Sequence, residues 1–354
     1  MEKFAVILKP DGGKRLIGSH PILKRLPVRA AQKCLPCLSA QKAGVIVDTD
    51  HHETLGAFID VPGFFANWNQ MEETHRIKTV KGIVRVLEKM KIHLLCFPQM
   101  HRFFTEEEIH CLQQRDIVLS DGFHHRLAGM LLVLKQLLTI TAAQAPYFEV
   151  GIWGADTHTG QIWVEAIAGE VNRMCIGGQD IGKLKRLAEI TLRTTGLACQ
   201  VTDKPEICLS DKNITVLAEP AGISISKIQP SFHFLSIPGN RASDFFCEAG
   251  DNMQRIYNIE MGWMAPPRDV EVLKELDPWE ELGVLDGLFH VVSRVYREDI
   301  RINSLTFNRI KRLHTLYELY PVKLQGFIHQ GSRIHFDRFR REYFKAGPGV
   351  VKIQ

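Results

Sequence analysis

One stretch limits the possible folds of this chain more than any other: the apolar run 148–153, followed by a turn that two glycines bracket. Gly154 and Gly160 enclose the turn, and residues 161–170 after it have the apolar spacing of a helix. A buried strand, a glycine turn and a helix in this order open a dinucleotide-binding unit, in which phosphates lie over the helix N-terminus. The usual turn has a third glycine in its middle, and here Thr157 stands in that place. The stretch therefore predicts the first strand, turn and helix of an α/β domain.

Strands and helices alternate along much of the chain, which sets the predicted fold class. Short apolar runs bounded by turn residues predict strands, and apolar positions every three or four residues predict helices. Alternation at this spacing is typical of a parallel, doubly wound sheet. A chain of 354 residues exceeds one ordinary core, so two domains are expected. We predict a smaller N-terminal α/β domain over 1–140, a doubly wound parallel-sheet (Rossmann-like) domain over 141–268, and C-terminal helices with a basic tail over 269–354.

The apolar pattern predicts individual elements in each region. In the first region it predicts strands at 4–8, 44–47, 56–59, 93–97 and 117–119 and helices at 72–91, from 105 onwards and at 124–140. In the second it predicts strands at 149–154, 173–177, 198–201, 214–218, 232–237 and 255–260 and helices at 160–170 and 181–194. After these it predicts helices at 269–276, 281–297 and 303–318, whereas residues 321–354 have no clear period.

The composition excludes several classes of protein. An apolar content of 45% and a charged content of 24% are typical of a soluble globular protein. The longest apolar run, 127–138, is too short to cross a bilayer, and the N-terminus lacks the features of a signal peptide. A cytoplasmic location is therefore expected. The eight cysteines are mostly isolated in apolar surroundings, which predicts buried thiols rather than a disulfide framework. Because Cys34 and Cys37 form the one CxxC and no second ligand pair lies nearby, no metal site is predicted.

Charge is unevenly distributed along the chain, whose net charge is +4. Residues 1–42 carry nine lysines and arginines against two acids, and residues 301–354 carry eleven against three. The basic ends could recruit an anionic partner such as RNA, an acidic carrier protein or a membrane surface, or they could be solvated arms that pair with the acidic body. Because the basic residues do not alternate with stacking aromatics, nucleic acid is not favoured as a partner. Arg338, Arg340 and Arg341 are predicted to lie at the surface.

The turn supplies the candidate cofactor-binding residues. Gly154 permits a sharp bend, Gly160 permits close packing of the helix on the strand, and the hydroxyls of Thr157 and Thr159 could donate hydrogen bonds to a phosphate. Asp180 follows the second strand of the domain, near the distance expected for an acid that binds a ribose diol. Since no arginine stands in that turn to receive a 2′-phosphate, NAD is favoured over NADP. The alternatives are that the turn is closed and binds nothing, and that Asp180 only caps a helix.

A second group of candidate residues precedes the predicted helix 124–140. Its sequence is Ser120-Asp121-Gly122-Phe123-His124-His125. In two-domain dehydrogenases such a turn faces the nicotinamide, so His125 could donate a proton to a carbonyl oxygen while Asp121 orients it. The two adjacent histidines could instead be exposed residues at a helix start.

Several motifs occur in an order and spacing that belong to one family. They are Gly56-Ala57-Phe58-Ile59, Arg76-Ile77-Lys78-Thr79, Gly122-Phe123-His124-His125, the turn 154–160, Phe234-Leu235-Ser236-Ile237-Pro238-Gly239-Asn240, Arg255-Ile256-Tyr257-Asn258 and Gly262. Residues 44–300 thereby resemble the bacterial long-chain acyl-[acyl-carrier-protein] reductases, relatives of the shikimate-dehydrogenase-like and glutamyl-tRNA-reductase-like enzymes. The resemblance implies a two-domain Rossmann protein, with His125 as the histidine of that family's Gly-x-x-His turn.

The chain also departs from that family. The family takes an acyl group onto a cysteine as a thioester and reduces it with NADPH, but the matching helix 281–297 contains no cysteine. Gln179 stands where the family's arginine is expected, and Thr157 replaces the middle glycine. Acyl-thioester reduction is therefore not carried over to this chain.

Three functions remain open on the sequence, of which the third is an anion- or nucleic-acid-binding protein that acts through residues 1–42 and 301–354. The first is an NAD(P)-dependent oxidoreductase acting on a carbonyl or acyl compound, with a small-molecule or acyl-carrier substrate and a homodimeric assembly. The second is a degenerate, non-catalytic Rossmann binding or regulatory module that recruits an anionic partner through its basic ends. An open turn with free amides favours the first, and a side chain that fills the phosphate position favours the second.

Overall fold

The computed structural model describes residues 2–8, 17–18, 21–34, 40–61, 68, 71–141, 147–221, 231–237, 257–265, 267, 270–272, 276–293, 305–320 and 322–345. Cys37, Cys247, the loop 238–240 and residues 255–256 lie outside this part of the chain. The chain divides into two compact units. The first consists of Met1–Phe123 and Pro266–Glu298, and the second of His124–Ala265 and Asp299–Gln354.

The described residues form fourteen strands. They are β1 (Phe4–Ile7), β2 (Gln41–Asp48), β3 (Glu53–Asp60), β4 (Leu94–Cys96), β5 (Val118–Ser120), β6 (Glu149–Trp153), β7 (Arg173–Gly177), β8 (Cys199–Thr202), β9 (Ile214–Leu217), β10 (Phe232–Leu235), β11 (Tyr257–Ala265), β12 (Val270–Val272), β13 (Lys323–His329) and β14 (Ser332–His335).

The same residues form eleven α-helices and one short 3₁₀ helix, Leu23–Arg25. The α-helices are α1 (Val28–Cys34), α2 (Glu73–Met90), α3 (Met100–Phe103), α4 (Glu106–Gln113), α5 (Phe123–Ile140), α6 (His158–Ile167), α7 (Ile181–Thr195), α8 (Pro205–Leu209), α9 (Pro278–Val292), α10 (Phe307–Leu319) and α11 (Phe336–Lys345). None of these helices is long and apolar enough to cross a membrane.

The first unit is built on a six-stranded sheet in the order β12-β2-β3-β1-β4-β5. Strands β3, β1, β4 and β5 are parallel, whereas β2 and β12 extend the sheet antiparallel. Side chains of β1 alternate between two cores because successive residues of a strand point to opposite faces. Ala5 and Ile7 pack in the core that contains Ile83 of α2, and Phe4 and Val6 pack in the core that contains Leu288 of α9.

The second unit is built on an eight-stranded sheet in the order β14-β13-β11-β10-β9-β6-β7-β8. The six strands from β11 to β8 are parallel. Counted from β6, their order is 3-2-1-4-5-6, the order of the doubly wound dinucleotide-binding fold. The hairpin β13–β14 adds two antiparallel strands beside β11. The predicted α/β fold with a parallel, doubly wound sheet is thus confirmed. The strand order reverses between β6 and β9, and ligands of such sheets bind at the carboxyl ends of the strands on either side of the reversal.

The predicted elements after residue 265 need correction. The helix predicted at 269–276 is wrong, because Val270–Val272 forms a strand that pairs antiparallel with residues 46–48 of β2. Helix α9 begins at Pro278, earlier than predicted, because Asp277 and Glu280 form a capping box at its start. The region without a predicted period contains β13, β14 and α11, and Phe339 of α11 is completely buried. Arg338, Arg340 and Arg341 are exposed, as predicted.

Candidate functional site

The glycine turn after β6 is compact because two of its residues have no side chain. Gly154 has a φ of +81°, and a Cβ there would lie 2.7 Å from Cγ of Glu219. A Cβ on Gly160 would overlap the carbonyl oxygen of Gly154 and lie 2.6 Å from Cα of Ala155. The amides of Gly154 and Ala155 donate to the carbonyl of Gly177 at 2.8 and 2.9 Å. Helix α6 therefore begins directly against the turn, as a dinucleotide-binding fold requires.

Thr157 uses its hydroxyl inside the turn. Its Oγ1 donates to the carbonyl oxygen of Gly154 at 2.6 Å and accepts from the amide of Gly160 at 3.1 Å. Thr157 is thus the N-cap of α6, and its own amide also donates to the Gly154 carbonyl, at 3.0 Å. Thr159 is the second residue of α6 and is half-buried. The Thr157 side chain therefore satisfies an amide that, in the open form of such a turn, would face a phosphate.

Asp156 links the turn to the end of β7. Its Oδ2 accepts from the amides of Gln179 and Asp180, at 3.1 and 2.9 Å. A Cβ on Gly178 would overlap Oδ1 of Asp156, so the absence of a side chain at Gly178 allows this approach. Oδ1 is buried and has no hydrogen-bond partner in the part of the chain that the structure describes. Asp156 therefore places a carboxylate between the two turns that would hold a dinucleotide.

Glu219 adds a second carboxylate at the same place. It follows β9 by two residues, and β9 pairs with β6 at the reversal of strand order. Burial raises the pKa of Glu219, and the neighbouring charge of Asp156 raises it further. Oε1 of Glu219 is buried and lacks a hydrogen-bond partner among the described residues. Two acidic groups thus share the space beside Gly154.

Asp180 is the N-cap of α7. Its Oδ1 accepts from the amide of Lys183 at 3.0 Å, and its Oδ2 lies 3.6 Å from Nζ of Lys183. The hydrogen bond from the Lys183 amide is the main reason that the pKa of Asp180 is lowered. The capping role that the sequence left open is therefore present, and the exposed carboxylate lies next to the amides that Asp156 accepts from.

His125 lies near the start of α5, in the second unit. It is only 1% exposed, and its Nδ1 is 2.7 Å from the hydroxyl oxygen of Tyr317 on α10. The two rings stack with centroids 5.6 Å apart. Nε2 of His314 is 3.0 Å from the carbonyl of Ala128, so α5 and α10 are joined twice. Asp121, which belongs to the first unit, accepts from the amide of Phe123 at 3.0 Å.

The residue after His125 has a structural role that no sequence motif indicates. Arg126 is 1% exposed. Its guanidinium donates hydrogen bonds to three backbone carbonyls, those of Leu235 at 2.7 Å, Ile237 at 2.8 Å and Glu260 at 2.7 Å. These carbonyls lie at or near the carboxyl ends of β10 and within β11. A buried guanidinium needs several acceptors, and three backbone carbonyls supply them. Arg126 therefore fixes the start of α5 on the sheet.

The sequence does not indicate that Asp156 and Glu219 lie together at the turn. Asp156 lies within the predicted turn but has no counterpart in the usual glycine pattern. Glu219 is distant along the chain, and only the strand order brings it to the turn. No group of three or more histidine, cysteine, aspartate or glutamate side chains among the described residues is arranged to hold a metal ion.

Comparisons with known proteins give similarities of fold at low identity. No protein-family model matches the chain, and no curated protein matches it. Similar solved structures include an L-tryptophan dehydrogenase from Nostoc punctiforme, at 13% identity and a TM-score of 0.36, covering 90% of this chain and 80% of that one. They also include an ornithine carbamoyltransferase from Gloeobacter violaceus, at 11% identity and a TM-score of 0.30, covering 81% of this chain and 85% of that one. A third is a quinate dehydrogenase from Corynebacterium glutamicum in complex with NAD, at 10% identity and a TM-score of 0.24, covering 66% of this chain and 79% of that one. These proteins have different activities, and similarity at this level does not assign any of them to this chain.

Proposed function

We propose that the second unit is a Rossmann-type binding module in which the chain's own groups fill the pyrophosphate position, so that the protein is a non-catalytic binding or regulatory protein. The observation that carries this proposal is the internal use of four of the turn's amides. Those of Gly154, Ala155, Thr157 and Gly160 all donate within the turn or to β7. A pyrophosphate is normally bound by such amides at a helix N-terminus.

The charges at the turn support the same proposal. Asp156 and Glu219 place carboxylates where a dinucleotide would bring negatively charged phosphates. Two like charges about 6 Å apart repel by about 3 kcal/mol at an effective dielectric constant of about 20. This energy corresponds to roughly a hundredfold loss of affinity. In this proposal the basic segments 1–42 and 301–354 recruit an anionic partner.

The second candidate is an NAD(P)-dependent oxidoreductase acting on a carbonyl or acyl compound, related to the acyl-[acyl-carrier-protein] reductases. It is favoured by the 3-2-1-4-5-6 strand order and by the close approach at Gly154 and Gly160. The dinucleotide would lie on the turn 154–160, including Thr157 and Thr159, with Asp180 at the ribose. NAD is favoured over NADP, and the bound cofactor would supply the hydride.

In this candidate the chain's own residues would orient the substrate and move a proton. His125 would donate the proton to a carbonyl oxygen and Asp121 would orient it. Because His125 is buried against Tyr317, its use requires that contact to open. A cytoplasmic homodimer with a small-molecule or acyl-carrier substrate belongs to the same candidate.

A binding titration separates the two candidates. The intrinsic tryptophan fluorescence of the full chain is followed while NAD, NADH, NADP or NADPH is added. The binding-module proposal predicts no saturation with any of them at millimolar concentration. It also predicts that combining Asp156→Asn, Thr157→Gly and Glu219→Gln creates binding at least tenfold tighter, because these changes remove two charges and free an amide.

A matched control removes an acid at the opposite end of the same strand. Glu149 begins β6 and pairs with Arg173 and Lys212, so Glu149→Gln changes the net charge without changing the turn. The control is expected to bind no better than the wild type, and melting curves check that each variant folds. Micromolar binding by the wild type would instead overturn the proposal and favour the oxidoreductase candidate. A triple variant that folds and still fails to bind would show that these three groups are not what blocks the site.

A further inference from the structure

Two buried cysteines of the second unit belong to the same apolar cluster. Cys175 is in the middle of β7 and is 2% exposed, and Cys208 is in α8 and is completely buried. Both are free thiols. We propose that Cys175 and Cys208 are a redox modification site that closes reversibly to an intramolecular disulfide when a small peroxide reaches it. This proposal does not depend on what the second unit binds.

Glycines of the neighbouring strands allow Cys208 to approach Cys175 closely. Sγ of Cys208 lies 3.3 Å from the carbonyl oxygen of Ile152 and 3.6 Å from that of Cys175. A Cβ on Gly177 would lie 3.0 Å from this sulfur, and a Cβ on Gly151 would overlap the carbonyl oxygen of Cys208. Helix α8 can therefore lie directly on β6 and β7, and Cys208 and Cys175 belong to one buried apolar cluster.

The two thiols are chemically unequal, which gives each of them a separate task. The hydrogen bond from Cys208 lowers the pKa of Cys175, and the charge of Lys212 acts in the same direction. That hydrogen bond and burial together raise the pKa of Cys208. The thiolate is the nucleophilic form of cysteine. The proposal therefore assigns the first reaction to Cys175 and the resolving step to Cys208.

The proposed chemistry balances with hydrogen peroxide as the oxidant. The Cys175 thiolate attacks one peroxide oxygen, the O–O bond breaks, and hydroxide leaves, which yields a sulfenic acid. The sulfur of Cys208 then attacks the sulfenic sulfur, the S–O bond breaks, and the oxygen leaves as water with the thiol proton. In total two thiols lose two electrons and two protons, and one peroxide becomes two waters.

Other cysteines of the chain provide controls. Cys199 pairs in register with Met174, the residue before Cys175, so its side chain is on the opposite face of the sheet. Burial raises the pKa of Cys199 to about 11, which keeps it protonated at neutral pH. Cys34 lies in the first unit and is exposed. If exposure alone decided oxidation, Cys34 would react before the buried pair.

The test is a peptide map of the full chain after oxidation. Reduced protein is treated with hydrogen peroxide, free thiols are blocked with N-ethylmaleimide, and the digest is analysed by mass spectrometry without reduction. Cys199 and Cys208 lie in one tryptic peptide because Pro205 follows Lys204, so the map is also made with Cys199→Ser. We expect a peptide pair joined through Cys175 and Cys208, two hydrogen masses lighter than the separate peptides. The pair should persist in Cys199→Ser and Cys34→Ser and be absent in Cys208→Ser.

A melting curve gives a second readout on the wild-type protein. A disulfide that closes a loop of this length is expected to raise the melting temperature by roughly 5–10 °C. Dithiothreitol should reverse the rise, and Cys208→Ser should not show it. The proposal is overturned if Cys175 and Cys208 are still free thiols after peroxide treatment, and react with N-ethylmaleimide once the protein is unfolded, while Cys34 is oxidised. It is also overturned if the crosslink joins Cys175 to Cys199.

Discussion

His233 gives the protein a specific sensitivity to acid. It lies in β10, is completely buried, and its Nδ1 is 2.6 Å from the hydroxyl oxygen of Thr215 on β9. Asn258 of β11 is its register neighbour on the other side and is also fully buried. Burial disfavours the charged imidazolium and lowers the pKa of His233 to about 4, from an ordinary value of 6.5. The folded state therefore holds this histidine neutral where the unfolded chain would protonate it.

The size of the effect follows from that pKa difference. Between pH 6.5 and 4 the unfolded state binds a proton that the folded state does not, so the free energy of unfolding falls as the pH falls. Each pKa unit corresponds to about 1.4 kcal/mol, so the change from pH 6.5 to 4 adds up to about 3 kcal/mol. Above about pH 7.5 both states are neutral at this site, and His233 contributes no pH dependence there.

Urea denaturation of the wild type and of His233→Gln tests this reasoning. Both proteins are unfolded at several pH values from 4 to 8 at constant ionic strength, with far-UV circular dichroism as the signal. The difference between their free energies of unfolding should be constant above about pH 7.5 and change by about 3 kcal/mol between about pH 7.5 and 4. The control His51→Gln alters an exposed histidine, whose pKa Asp48 raises through a hydrogen bond, and should leave the acid-induced fall in place. Parallel curves for the wild type and His233→Gln would refute the explanation by burial.

Two further substitutions test how individual helices begin. Thr105→Ala should lower the free energy of unfolding, measured by urea denaturation, by about 1 kcal/mol, because it removes the capping box with Glu108 at the start of α4. Thr105→Ser should retain most of this stability, because serine keeps the capping hydroxyl. Arg126→Met should cost about 3–5 kcal/mol by the same measurement, since three buried carbonyls lose a charged donor, and a loss below about 1 kcal/mol would contradict that role.

The central sheet of the second unit could be predicted from sequence because its strands are buried on both faces. Strand β7 has the predicted bounds, and β6 differs by one residue at its end. Such strands appear as continuous apolar runs between turn residues. Strand β12 could not be predicted in this way, because three residues have too short a pattern and the strand depends on its pairing with β2. Local sequence does not contain that partner.

Helix α11 was missed for a different reason. Phe336, Phe339 and Tyr343 have helical spacing, and the ring of Phe339 packs against Phe232 and Phe327. Arginines occupy the positions between them and leave a narrow apolar face. That face is stabilised by aromatic residues of β10 and β13, so the helix depends on tertiary packing more than on its own composition.

At the candidate site, the glycine motif of one segment does not predict whether a ligand binds. The substitution at Thr157 was visible in the sequence, but its effect depends on where the hydroxyl points, and it points to the amide of Gly160. Gly154 and Gly160 remain necessary for the close packing of α6 whether or not anything binds there. Glycines at these two positions therefore indicate the fold and cannot by themselves indicate the ligand.

The electrostatic character of the site depends on two turns that are far apart in the chain. In a sheet whose order reverses between β6 and β9, the residues after β9 always lie beside the turn after β6. Glu219 occupies that position here, and its close approach to Gly154 puts its charge next to that of Asp156. A carboxylate after the fourth strand opposes phosphate binding as directly as one inside the glycine turn. The pair of acids is therefore a second reason, beside the internal use of the turn's amides, for our proposal that a dinucleotide is excluded.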